Sequence, residues 1–167
     1  MITAEEVKAL LRLTPHPAEG GYFTETYRSE ERVAEGALPA RYAGARAFGT
    51  AIYYLLTPDT VSAMHRLASD EVFHFYLGDP VEMLHLFPDG SGRVVTLGTD
   101  LLQWMRPQAV VPRGVWQGSR LVPGGRFALL GCTVAPGFDF ADYEQARRED
   151  LLAAYPEYRE RILSLTS

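Results

Sequence analysis

The hydrophobic pattern of the chain changes twice. Near the N-terminus, Val7, Leu10 and Leu11 recur at helical spacing. Thr3 stands three residues before Glu6, which is a capping-box spacing, and Ile2 and Val7 occupy the two staple positions. Pro15 and Pro17 limit this helix to about Thr14. From Gly20 onward the pattern is one of short β-branched and aromatic runs: Tyr22–Arg28, Ala47–Leu56, Val61–Arg66, Glu71–Leu77, Glu82–Phe87, Arg93–Leu97, Gln108–Val111, Trp116–Arg120 and Phe127–Val134. The breaks carry turn residues, such as Pro88-Asp89-Gly90, Pro112-Arg113-Gly114 and Pro123-Gly124-Gly125. Helical periodicity returns over Glu144–Ala154, and Pro156 opens a second short helix reaching Leu163.

Many short strands without helices between them predict an all-β sandwich, jelly roll or barrel with short N- and C-terminal helices. Residues 29–44 are polar, rich in Ala and Gly, and lack a period; they read as one long loop bordering the fold. The 167 residues fit a single domain. A formal net charge of −5 argues against a nucleic-acid surface and against anionic membranes. The sole cysteine, Cys132, lies in an apolar run and reads as a small buried hydrophobe. No apolar stretch resembles a signal peptide or a transmembrane span, so the expected location is the cytoplasm.

Candidate chemistry concentrates at His65, Leu67 and Glu71. Two residues apart on one strand, His65 and Leu67 share a face, and Glu71 opens the next strand. The run His65, Arg66, Leu67, then Glu71 and Gly78, resembles the first cupin motif with its second histidine replaced by Leu67. Pro112, Arg113 and Gly114 match the second motif. Gln117 holds its histidine position, while Arg106 and Leu121 replace its first Gly and final Asn. Further blocks are His16-Pro17-Ala18-Glu19-Gly20-Gly21-Tyr22-Phe23, Thr50–Leu56, Ser69–Phe75 and Gly131–Phe140. With these the chain resembles the uncharacterised cupin family five. That resemblance implies a cupin jelly-roll β-barrel with an enclosed pocket, a homodimer, and no assigned reaction. Exposed strand edges of such a barrel also favour a homodimer.

Three functions follow as expectations. The first is a small-molecule-binding cupin working as a metal-independent isomerase or epimerase on a sugar-like or carbonyl substrate. His65 and Glu71 would form its acid–base pair. The dTDP-sugar epimerases are metal-free cupins, so the fold permits this. The second is a dioxygenase-type enzyme holding a divalent metal through His65, Glu71 and Gln117, or His74 instead of Gln117. Leu67 gives no ligand, and a Gln amide oxygen is a weak one. The third is a non-catalytic binding or storage-like module. Ligand-binding candidates are Gln117, Tyr22, Tyr27, Tyr53, Phe73, Phe75 and Trp116, with Arg28, Arg66 and Arg113 as anion anchors. His74 joins them only if a β-bulge turns it inward, since strict alternation sends it to the face opposite Glu71. His16 reads as a hydrogen-bonding residue of the Gly20-Gly21 turn, and His85 as structural or surface.

Overall fold

The structure, a computed structural model, describes residues 2–166. Helix α1 spans Ala4–Leu11 and carries the expected capping box. The Thr3 hydroxyl accepts from the Glu6 amide, and the Glu6 carboxylate accepts from the Thr3 amide at 2.8 Å. It ends earlier than the prolines require, because Arg12 turns left-handed at φ 55°.

Strands β1 (Thr14–Pro15), β2 (Tyr22–Arg28), β3 (Arg32–Val33), β4 (Arg46–Ala47), β5 (Thr50–Leu56) and β6 (Ser62–Leu67) follow. Next come β7 (Asp70–Gly78), β8 (Val81–Leu86), β9 (Gly92–Leu97), β10 (Gln108–Val111), β11 (Trp116–Leu121), β12 (Ala128–Ala135) and β13 (Tyr143–Gln145). Two antiparallel sheets face each other in a jelly-roll sandwich. One has the order β1-β2-β5-β12-β7-β10, the other β13-β6-β11-β8-β9.

Alternation along these strands builds the core. Ala128, Leu130 and Cys132 of β12 meet Phe73 of β7, Tyr54 and Leu56 of β5, and Val81 and Met83 of β8 between the sheets. Residues of opposite parity serve two outer layers. Leu55 and Leu129 pack under Val7 and Leu13 of the N-terminal segment. Met64, Leu84 and Leu86 pack under Leu151, Tyr155 and Ile162, carried by α2 (Arg148–Ala154) and the stretch through α3 (Arg159–Ser164). Each such side chain contributes about 1.5–3 kcal/mol by leaving water.

Two expectations need correction. The helix predicted from Glu144 starts only at Arg148, because Tyr143–Gln145 pairs with the free edge of β6. Residues 29–44 are not a loose loop. Arg32–Val33 pairs with Arg46–Ala47, and the buried Tyr42 hydroxyl meets Ser69 Oγ at 2.9 Å. Just beyond the loop, Arg46 is buried and grips Asp142 with two bonds of 2.7 Å. This clamp fixes the Phe138–Asp142 turn against the mouth of the sandwich.

Candidate functional site

His65 and Glu71 reach the interior as alternation predicts, from β6 and β7 on opposite sheets. Gln117 lies beside His65 in register on β11, and all three are buried. The Gln117 amide nitrogen donates to Glu71 Oε2 at 2.6 Å. His65 Nδ1 lies 2.7 Å from the Ala63 carbonyl. A carbonyl only accepts, so Nδ1 carries the proton and Nε2 of the neutral ring is a bare acceptor. Among the described residues that nitrogen has no hydrogen-bond partner, although His65 is only 1% exposed.

Glu19 faces it. Its Oε1 lies 3.6 Å from His65 Nε2 and 3.6 Å from His16 Nε2. His16 has the opposite tautomer: its Nδ1 accepts from the amides of Ala18 at 3.3 Å and Glu19 at 2.9 Å, leaving the proton on Nε2. Glu19 therefore sits between one imidazole that offers a proton and one that lacks a partner. Its Oε2 accepts from Ser62 at 3.3 Å. The turn is held by Gly20 and Gly21, at φ 90° and 68°. At Gly20 a Cβ would come within 2.5 Å of the Val61 carbonyl oxygen, so only glycine closes this turn.

Burial sets the protonation balance. It raises the Glu19 carboxyl, with His16 opposing. Burial, aided by the charge of Glu19, pushes Glu71 up to about 7. Burial lowers His16 and His65, against the pull of Glu19 and Glu71 respectively. Burial also raises the Cys132 thiol and the Tyr54 phenol, so neither is a nucleophile at neutral pH.

Glu19, Glu71, His16 and Cys132 lie at the inner end of a cavity of about 310 Å³. Phe23, Ile52, Val134, Phe138 and Phe140 form its apolar wall, and Glu25, Arg28 and Asp139 stand on its lining toward the surface. Arg28 is already engaged. It holds both oxygens of Glu25, at 3.0 and 2.8 Å, and the Phe138 carbonyl at 3.1 Å.

The predicted aromatic wall lies elsewhere. Tyr22 and Tyr53 pack under α1, and the Lys8 ammonium sits 3.8 Å above the Tyr22 ring. Tyr27 is 55% exposed. Phe73 and Phe75 belong to the core between the sheets. Trp116 packs toward the C-terminal helices beneath Arg66. His74 takes the outer face: its Nδ1 meets the Gln108 amide at 3.3 Å and its Nε2 meets Thr133 Oγ1 at 3.0 Å. The bulge in β7 comes after His74, between its partners Leu129 and Leu130, too late to turn it inward. Arg66 pairs with Glu144, and with Arg113 it borders a separate surface hollow. Sequence reading missed Glu19 and the Phe138–Phe140 wall, which arrive from turns that no strand periodicity reports.

The donor set does not fit a cupin metal centre. Gln117 turns its amide nitrogen, not its oxygen, to Glu71, Leu67 offers no ligand, and His74 is outside. Among the described residues no group of three or more His, Cys, Asp or Glu is placed to hold a metal ion.

Two facing antiparallel sheets, short terminal helices and a buried, inward-facing His–Glu pair define the cupin class. The family model described as "Cupin superfamily (DUF985)" matches residues 5–146, and the chain belongs to that family. It is similar to the uncharacterized protein YML079W of Saccharomyces cerevisiae, 34% identical over 142 residues, or 80% of this chain and 71% of that one. Protein SO0799 from Shewanella oneidensis is 36% identical with TM-score 0.87, covering 100% of this chain and 99% of that one. A hypothetical protein from Leishmania major is 32% identical with TM-score 0.88, covering 99% of both. Among the described residues no helix is long and apolar enough to cross a membrane.

Proposed function

We propose that this cupin binds a small molecule in the 310 Å³ cavity and moves a proton on it without a metal, as an isomerase or epimerase acting beside a carbonyl. The observation that carries this reading is the Glu19–His65–Glu71 group. Glu71 titrates at about 7, where a general base both holds and releases a proton near neutral pH. Glu19 shares the cavity, and the bare His65 Nε2 lies 3.6 Å from its Oε1. Ionised Glu71 would take the proton from the carbon next to the carbonyl, and protonated Glu19 would give its own proton back to that carbon; as product leaves, Glu71 releases its proton to water and Glu19 takes one from water. The apolar wall keeps bulk water off the reacting carbon during the transfer, while the two carboxyls exchange their protons with solvent between turnovers.

The test is deuterium incorporation, read by NMR, at carbons adjacent to the carbonyl in a panel of aldoses, ketoses, hydroxyketones and aminoketones. Incorporation with at least one compound, falling roughly 10²-fold or more in Glu71→Gln, is expected. Compounds that bind but never exchange would overturn the enzyme reading in favour of a binding or storage-like module.

We also propose that two chains pair through exposed strand edges and that the protein works in the cytoplasm. A monomer mass by light scattering would refute the homodimer, and recovery of the native protein outside the cytoplasmic fraction would refute the location.

A further inference from the structure

The cavity is acidic in a way its sequence motifs do not announce. Glu19, Glu71 and Asp139 line it, and among the described residues no basic side chain is paired with Glu19 or Glu71 except imidazoles that burial keeps neutral. The one strong cation on the lining, Arg28, is consumed by both oxygens of Glu25. The donors at the inner end are few and uncharged. Glu71 receives the Gln117 amide and the Cys132 thiol, Glu19 receives the Ser62 hydroxyl and faces the His16 N–H at 3.6 Å, and His65 Nε2 has no hydrogen to offer. Aromatic rings share the lining: Phe138 and Phe140 have ring centroids 5.0 Å apart, and His16 and Phe23 4.7 Å apart.

We propose that the ligand of this cavity is a small organic cation carrying a primary ammonium, its N–H donors turned to Glu19 and Glu71 and its carbon frame against the phenylalanines. Three N–H donors on one positive centre can serve both carboxylates at once and supply the charge that their neutral donors do not. Aromatic faces attract the same charge. An anionic ligand meets the opposite: two buried carboxyls that would have to stay protonated, and an arginine already spoken for. This proposal rests on the cavity assigned above and names the substrate class for it, an amino-substituted carbonyl compound.

Four probes of one shape decide it by calorimetry at neutral pH: benzylamine, benzyl alcohol, benzoate and benzyltrimethylammonium. Benzylamine should bind roughly tenfold or more tighter than benzyl alcohol, the effect of one charge-assisted hydrogen bond. Benzoate should bind weakest. Benzyltrimethylammonium, which keeps the charge and loses the donors, should fall below benzylamine. The preference for amine over alcohol should shrink in Glu71→Gln and Glu19→Gln, each checked for folding by its thermal transition. Equal binding of amine and alcohol, no saturable binding of the amine, or a preference for benzoate overturns the proposal; so does an amine preference untouched by both substitutions. An amine preference without deuterium exchange on any carbonyl would sink the reaction and leave the ligand class. Exchange on neutral carbonyls without an amine preference would do the reverse.

Discussion

Replacing Glu71 by Gln should make the protein's stability less dependent on pH, and the sign follows from burial. The Glu71 carboxyl rises from 4.5 to about 7 on folding, because burial and the charge of Glu19 disfavour its ionised form. Between those values the folded chain keeps a proton that the unfolded chain has released. The stabilising contribution is therefore complete below 4.5 and is lost as pH rises through about 7. At about 1.4 kcal/mol per unit, the loss is on the order of 3 kcal/mol. A glutamine has the shape of the protonated acid, can still accept from Gln117, and has no proton to lose. Urea unfolding followed by tryptophan fluorescence, at intervals from about pH 5 to about pH 8, measures both proteins. The variant's unfolding free energy minus the parent's should grow by roughly 3 kcal/mol across that range. Glu19 stays in both proteins, so its own rise largely cancels, apart from the relief it gains when its neighbour can no longer ionise. A difference that stays flat, or declines with pH, would refute the claim that Glu71 is held protonated by burial.

His85 bounds stability from the acid side. Burial and the nearby Arg93 lower it to about 4, so its contribution is present above the ordinary 6.5 and is lost as pH falls through about 4. His85→Leu should shift the acid-unfolding midpoint to lower pH by circular dichroism, and an unmoved midpoint would contradict this. Arg46→Ala leaves Asp142 buried without its cation and should cost about 3–5 kcal/mol; a loss under about 1 kcal/mol in denaturant would mean that the clamp is not closed in solution. Gly78→Ala should cost at least about 1–3 kcal/mol, because φ is 103° and the new Cβ would meet the Phe127 carbonyl oxygen at 2.3 Å. A melting temperature within error of the parent would refute it.

Much of the sandwich is legible in the sequence, for a physical reason that particular strands display. Gln108–Val111 forms with the predicted ends, since proline lies just outside each of them. Glu71–Leu77 lengthens by one residue at each end, to Asp70–Gly78. Pairing rather than propensity decided the exceptions. Tyr143–Gln145 is a strand because β6 has a vacant edge. The strand predicted over Ala47–Leu56 breaks at Phe48-Gly49, where the Gly49 carbonyl turns to Ser29. The site was half legible. A period of two places His65 and Glu71 inward and His74 outward. The same rule cannot say which inward aromatic meets a cavity and which meets another sheet, so Phe73 is core while Phe23 is wall. Glu19 was invisible to it, because a turn closed by Gly20 and Gly21 brings it over the mouth from outside the sandwich.

The Arg46–Asp142 clamp bears on how the cavity mouth responds to ionic strength. Surface pairs such as Arg66–Glu144 lie within reach of counterions, and their attraction fades over a Debye length of about 8–10 Å at moderate salt. Arg46 and Asp142 are 3% and 4% exposed, with the guanidinium also bonded to the carbonyls of Ala43, Gly44 and Ala45. A pair so enclosed is screened by dissolved ions much less than an exposed one. The turn bearing Phe138 and Phe140 is thus anchored by an electrostatic bond that salt weakens little, and the entrance should largely keep its shape in brine as in dilute buffer.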